Sequence, residues 1–246
     1  MSELVYPQLT QLPLVKRLRR RTVVNRTADG RAVKLGDPAG EITEWELRYQ
    51  ELSDDEAATL QAFFESTEGS LQPFTFVDPT ENLLAASAAL DGDAWTRDPM
   101  LRVTGGPLEW RVENTGAAPQ TLWQDIGGPA GFTYCFSLSA RTDVTTVIRA
   151  IAGDLAIERT ISGLWRRVKV SGEVATTRFG IEVRPSSSVE LRGLQVEAQA
   201  GASAPRRGVR GGVFAGAHFD QDELTVTATG LNRHSCVVSI VHAIHI

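Results

Sequence analysis

Cysteine is scarce: Cys135 and Cys236 are the only two in 246 residues, far apart and with no CxxC or histidine spacing. That excludes a disulfide framework and a thiolate zinc site and leaves two expected buried thiols. No apolar run is long enough to cross a bilayer as a helix, so membrane insertion is not expected. The amino terminus, MSELVYPQL, has neither the basic nor the apolar region of a secretion signal, and synthesis in a cytoplasm is the expectation. Positive charge is in deficit, with 25 Lys and Arg against 30 Asp and Glu, a formal charge of −5. Such a balance argues against a protein dedicated to nucleic acid. There is no nucleophile elbow, no P-loop and no GxGxxG between a strand and a helix, so no catalytic residue is assigned and an enzyme is not expected. Acidic pairs at Asp91 and Asp93, Asp220 and Asp222, and Glu182 and Glu190 stand in no recognisable hydrolytic context. On a strand, His234 and His242 share a face with Cys236 while His245 points the other way. With His218 they offer at most a partial ligand set, so no metal and no cofactor is expected.

What is present begins with a helix signal. Ser53 followed by Glu56 is a capping box, and Ala57, Leu60, Phe63 and Phe64 fall on one side at helical spacing. Gly69 supplies the left-handed stop. Phe74 to Val77 then reads as a short strand ended by Asp78 and Pro79. Upstream, Arg19 to Arg26 and Arg31 to Leu35 form a hairpin about Asp29 and Gly30, and Gly36 to Gly40 reads as a loop. In the next strand Thr43, Trp45, Leu47 and Tyr49 alternate with charged and polar residues, which gives a sheet with one wet face whose aromatic side should meet Phe63 and Phe64.

From Glu81 to about Ala204 the helical period disappears. Runs at 101–104, 108–114, 121–126, 132–140, 145–151, 155–161, 165–172, 177–184 and 189–198 are separated by Gly, Pro, Asn or Asp, the spacing of a two-sheet antiparallel jelly roll. Ser203 to Gly216 is small, basic and glycine-rich, like a linker. Leu224 to Thr229 and Ser235 to Ile246 make a terminal hairpin. The fold class expected is mainly β: a small barrel or sandwich with one helix, carrying an inserted jelly roll. The domain boundaries are 1–80, 81–205 and 206–246, with the last segment closing the first.

The order Leu47 to Leu52, helix from Ser53 with Phe63 and Phe64, Gly69 and Phe74-Thr75-Phe76-Val77-Asp78-Pro79 resembles the distal and minor tail proteins of long-tailed bacteriophages. The resemblance covers roughly residues 14 to 80, with Leu224 to Ile246 like the part that closes that family's barrel. It implies assembly rather than catalysis: a homohexameric ring at the distal end of a virion tail, touching tail tube, tape measure and tip hub proteins. Asn82-Leu83-Leu84, Trp95, Gln124, Phe136 to Ala140, Trp165-Arg166-Arg167 and Leu191 to Glu197 resemble the carbohydrate-binding jelly rolls of glycosidases and phage tail proteins. The tyrosine of that family's Pro-Ser-Tyr element is missing from Ala202 to Pro205.

Sugar recognition lays an aromatic face on a pyranose ring, which makes Trp95, Trp110 and Trp123 the candidate platforms against their ordinary role as core. Trp95, before Asp98 and Pro99, is the one expected to be exposed; Trp165 resembles the structural tryptophan of the family. Arg17, Arg19 and Arg21 share a strand face and are candidates for a subunit interface, with solvated charge as the plain alternative. No recognition helix accompanies them, so specific nucleic-acid binding is not expected. Three functions follow: a tail ring displaying a glycan-adhesive jelly roll, a carbohydrate-binding module of an enzyme or adhesin, or a tail protein whose jelly roll is only a spacer.

Overall fold

The computed structural model describes residues 3–9 and 13–243. In chain order the elements begin with β1 (Leu14–Arg26), β2 (Ala32–Leu52), α1 (Asp54–Ser66), β3 (Phe74–Val77), β4 (Thr96–Arg97) and β5 (Leu101–Gly106). Then come β6 (Glu109–Asn114), β7 (Gln120–Asp125), β8 (Thr133–Arg141), β9 (Thr146–Ala152), β10 (Leu155–Ile161) and β11 (Arg166–Glu173). The series ends with β12 (Arg178–Val183), β13 (Ser188–Glu197), β14 (Val213–Phe219), β15 (Val226–Gly230) and β16 (Arg233–Ala243). The chain is mainly β, with one helix, and divides into two compact units: Met1–Phe76 with Phe214–Ile246, and Val77–Val213. The first is discontinuous; the second is inserted in it.

In the discontinuous unit one antiparallel sheet runs β1-β2-β16-β14-β3, with β15 beside β16. The carboxyl-terminal strand lies against the strand that carries the alternating aromatics, Ile240 opposite Trp45 and Val238 opposite Leu47. Segment 3–9 runs along β3, where Tyr6 donates its amide to the Thr75 carbonyl at 2.9 Å. Among the described residues β1 and β3 stay at opposite ends of the order, so the sheet is open and the expected barrel does not close. The core is aromatic. Trp45 packs on Phe76 and Phe214 at 4.9 and 4.6 Å between ring centroids, and Phe63 from the helix meets Tyr6 and Phe74 at 5.6 and 5.2 Å.

The helix starts where the sequence says. Glu56 donates its amide to the Ser53 hydroxyl at 3.3 Å and accepts the Ser53 amide at 2.9 Å, so two otherwise orphaned N–H groups are satisfied reciprocally. Gly69, at φ +67°, takes the left-handed position beyond the helix, where a Cβ would come within 2.7 Å of Asp222. Two expectations fail in this unit. Residues 36–40 are not a loop but part of the long β2, with the irregularity absorbed as a register shift between Arg19 and Arg21. The supposed linker from Ser203 contains most of β14.

The inserted unit is a sandwich of two five-stranded antiparallel sheets, β10-β9-β12-β7-β4 and β11-β8-β13-β6-β5, with the chain passing repeatedly from one to the other. Period-2 alternation explains the layer between them. Leu122, Ile148, Phe179 and Ile181 from one sheet and Tyr134, Phe136, Leu138 and Val196 from the other are buried in one cluster. Each such side chain contributes about 1.5–3 kcal/mol by leaving water. At the base of the unit Asp78 donates its amide to the Gly212 carbonyl at 2.8 Å, so the chain enters and leaves side by side. Adjacent ends are what allow an inserted unit at low closure cost.

Candidate functional site

The loops beside β13 are built on polar side chains that replace missing strand partners. Asn82 is 1% exposed and makes four hydrogen bonds. Its amide donates to the carbonyls of Leu194 and Arg206 at 2.9 and 2.8 Å, and its carbonyl accepts the amides of Leu84 and Val196, both at 3.1 Å. Gln124 accepts the Ala85 amide at 2.7 Å and donates to the carbonyls of Ala85 and Ala94, both at 2.9 Å. Gln195 accepts the Arg206 amide at 2.6 Å. Gly208 runs so close to the Leu84 carbonyl, 1.9 Å from where a Cβ would stand, that no side chain fits. These clips satisfy buried polar groups and hold residues 82–88 and 203–208 in fixed positions.

Two of the tryptophans join the clips. Trp95 and Trp110 are both 6% exposed and donate their indole N–H to the carbonyls of Ala86 and Ala88, at 3.3 and 3.1 Å. Trp95 is therefore core, not the exposed platform expected, because an indole on a loop finds both apolar cover and a carbonyl acceptor inward. Trp110 is buried as well, yet it lines a cleft of about 430 Å³ together with Leu108 and Leu194. Leu108 sits in the two-residue turn between β5 and β6 and is 76% exposed. Pro205, Arg206 and Arg207 line it as well, together with Arg192 and Gly193 of β13. Trp123 lies elsewhere, on the outer face of the β7-containing sheet. It is half-buried, and the Arg178 guanidinium covers its ring at 3.7 Å from the centroid. The structure does not bring Trp95, Trp110 and Trp123 together; only Trp110 lines the cleft.

The charges around the cleft are unevenly committed. Arg141 pairs with Glu190 at 2.5 Å and with Glu109 at 2.8 Å. Its guanidinium is held more basic than usual, first by the hydrogen bond it donates to Glu190 and then by the field of both glutamates. Arg192 instead stacks on Trp165, 4.1 Å from the ring centroid, with Arg141 at 4.8 Å from the same ring. Trp165 is thus covered by guanidinium groups, in keeping with a structural role. Glu182 pairs with Arg149 on the outer face of one sheet, while Glu190 stands on the outer face of the other, so these two carboxylates do not form a pair.

In the discontinuous unit, Arg17, Arg19 and Arg21 reach across the hairpin to Glu46 at 3.0 Å, Glu44 at 3.0 Å and Asp37 at 3.7 Å. Their charge is answered within the chain, and the register shift interrupts the single face on which alternation would place all three. Every residue from 17 to 36 is exposed, including Leu18, Val24 and Leu35. His234 pairs with Asp54 at 2.7 Å and His218 meets the Ser70 carbonyl at 3.1 Å. His242 packs on Phe214; His245 lies outside the described residues. Among the described residues no three His, Cys, Asp or Glu side chains converge as a metal site would require.

No protein-family model matches the chain, and no curated protein matches it. Solved structures match over about half of the chain. A CBM4 structure is 16% identical over 49% of this chain and 96% of its own, at a TM-score of 0.33. TmCBM61 in complex with β-1,4-galactotriose is 15% identical over 49% of this chain and 100% of its own, at 0.36. The enzymatically active domain of bacteriophage CBA120 tailspike protein 4 is 12% identical over 50% of this chain and 22% of its own, at 0.38. At these scores the likeness carries no argument about the cleft, which stands on its own side chains.

Sequence reasoning missed Leu108, Leu194, Arg192 and the 205–207 wall. Leu108 had a signal of its own, a large apolar residue in a two-residue turn where polar residues are usual. Arg192 and Leu194 lay within the Leu191 to Glu197 resemblance without a site role assigned, and the 205–207 wall had no signal, since only the fold brings β13 and the 203–208 loop to the same side.

Proposed function

We propose that the chain is a non-catalytic carbohydrate-binding protein, with the inserted unit as the binding module and the discontinuous unit as its attachment to a larger assembly. The observation that carries this reading is the Trp110 cleft. It combines an apolar floor and lip with a rim of guanidinium and backbone groups held in place by the Asn82 and Gln195 clips. A pyranose ring needs an apolar surface for its C–H face and fixed polar groups for its hydroxyls. A glycan array probed with the whole chain tests it: binding to at least one glycan that is lost in Leu108→Asp supports the reading. No glycan bound, or full binding by Leu108→Asp, contradicts it. Leu108 is exposed enough for the substitution to leave the core intact.

A second reading is supported by the ribbon of β1 and β2. A two-stranded ribbon exposed on both faces is marginal in water by itself, and one carrying Leu18, Val23, Val24, Val33 and Leu35 at its surface gains from a second copy of the chain. On this reading the discontinuous unit forms a homohexameric ring near the distal end of a virion tail, between tail tube and tip hub proteins, and the inserted units act together by number. Light scattering and negative-stain images of the purified chain decide it. A closed ring supports it, and a monomer at high micromolar concentration contradicts it.

A further inference from the structure

The arginines of the Trp110 cleft cluster around an apolar floor without a carboxylate among them. Elsewhere Arg17, Arg19, Arg111, Arg141 and Arg149 each have an acidic partner. Three arginines line the cleft, and none of them has a carboxylate partner among the described residues. The Arg206 side chain donates to the Thr80 carbonyl, which fixes the wall. Arg192 is held over the Trp165 ring, 4.1 Å from its centroid, a contact that brings no carboxylate to its N–H groups. Arg207 is exposed at the lip.

Resting on the carbohydrate reading and narrowing it, we propose that the cleft takes an acidic saccharide. The sugar ring lies on Trp110, Leu194 and Leu108, and its anionic group is received by Arg192 and Arg207. Arg192 and Arg207 are both exposed and carry no carboxylate among the described residues, so a neutral sugar gains nothing from their charge. A carboxylate or sulfate answers both, and the forked geometry of arginine suits either. The chain's net charge of −5 repels anions at long range, so the selection is local to the cleft.

The test is calorimetric titration of the whole chain with four probes at low and high salt: oligogalacturonate, its methyl ester, a sulfated oligosaccharide and inorganic polyphosphate. Oligogalacturonate or the sulfated sugar, whichever carries the right anion, binds at least tenfold more tightly than the neutral ester and weakens with salt. Arg207→Ala loses about tenfold, equivalent to about 1.4 kcal/mol, and Arg192→Lys loses a similar factor by giving up the fork while keeping the charge. Among the described residues Arg207 has no side-chain partner and is exposed, so its variant folds normally. Equal binding of ester and acid with no effect of the arginine variants overturns the acidic assignment and leaves the carbohydrate reading standing. Polyphosphate binding as well as the acidic sugars, unaffected by Leu108→Asp, overturns it in favour of a general anion site. Binding of none of the three saccharides overturns the acidic assignment, and no binding on the glycan array as well overturns the carbohydrate reading.

Discussion

The two units use the same strand period to different ends. In the inserted unit both sheets have a buried inner layer, and loops over β13 are pinned by Asn82, Gln124, Gln195 and two indoles. In the discontinuous unit one aromatic core serves a single open sheet, and a long ribbon leaves it with both faces wet. Polar side chains buried with all their partners make a fixed rim, and fixed rims make selective sites. Apolar side chains left on an uncovered ribbon make a surface that waits for another chain. On the proposed reading, the difference separates recognition from assembly within one polypeptide.

The comparison can be broken first through Asn82. Asn82→Ala leaves the amides of Leu84 and Val196 and the carbonyl of Leu194 without partners in a buried position, and each orphaned group costs about 1–3 kcal/mol. The inserted unit is expected to lose roughly 4 kcal/mol or more, read by calorimetry. Hydrogen exchange should show unchanged protection in β2 and β16, and equal loss there would mean the units are not independent.

Next in size is Trp45→Ala, which empties the centre of the aromatic cluster and costs about 3–5 kcal/mol. Here exchange should rise in β2 and β16 while the amides of β8 and β13 keep their protection. The same experiment thus reads both directions of the comparison.

Smaller still is the helix cap. Ser53→Ala should cost about 1 kcal/mol in the discontinuous unit alone. The Glu56 carboxyl is held below its ordinary pKa by the Ser53 amide first and the Ser53 hydroxyl second. A lowered folded-state value means the cap contributes fully above the unfolded-state pKa, about 4.3 for glutamate. That contribution disappears as pH falls from there through the lower folded value. The gap between wild type and Ser53→Ala should therefore narrow below this window without closing, because the Glu56 amide still donates to the Ser53 hydroxyl there; a gap that does not change with pH would deny the hydroxyl's bond to the Glu56 carboxylate.

The least effect on stability is expected from the ribbon. Leu18→Ser with Val24→Ser should change the melting of the monomer by less than about 0.5 kcal/mol, because neither side chain is covered. If the ribbon serves assembly, the same pair abolishes the oligomer seen by light scattering.

Much of this was legible in the sequence, and the reasons are local. The capping box, the stop at Gly69 and the strand Phe74 to Val77 depend on neighbours within a few residues. All nine jelly-roll runs fall on strands because alternation between turn residues is a local signal. The unit boundaries came within a few residues on one side, 80 against Phe76, and less well on the other, 205 against Phe214. The failure there has a cause: the Arg206 to Gly212 stretch reads as a linker by composition, but its glycines are places where the backbone passes close to Leu84 and Leu83. The site was less legible. Three tryptophans were chosen by residue type, but whether an indole faces solvent depends on which carbonyl it finds, and Ala86 and Ala88 carry no signal of that role. The arginines of the cleft were invisible because their lack of carboxylate partners among the described residues is a property of the folded surface.

The five indole N–H groups offer the most direct measurement. In ¹⁵N–¹H spectra of the whole chain titrated with a bound saccharide, the Trp110 indole should shift or broaden while those of Trp95, Trp123 and Trp45 stay in place. A shift at Trp123 with Trp110 unmoved would put the ligand on the outer sheet face and contradict the cleft as the binding site.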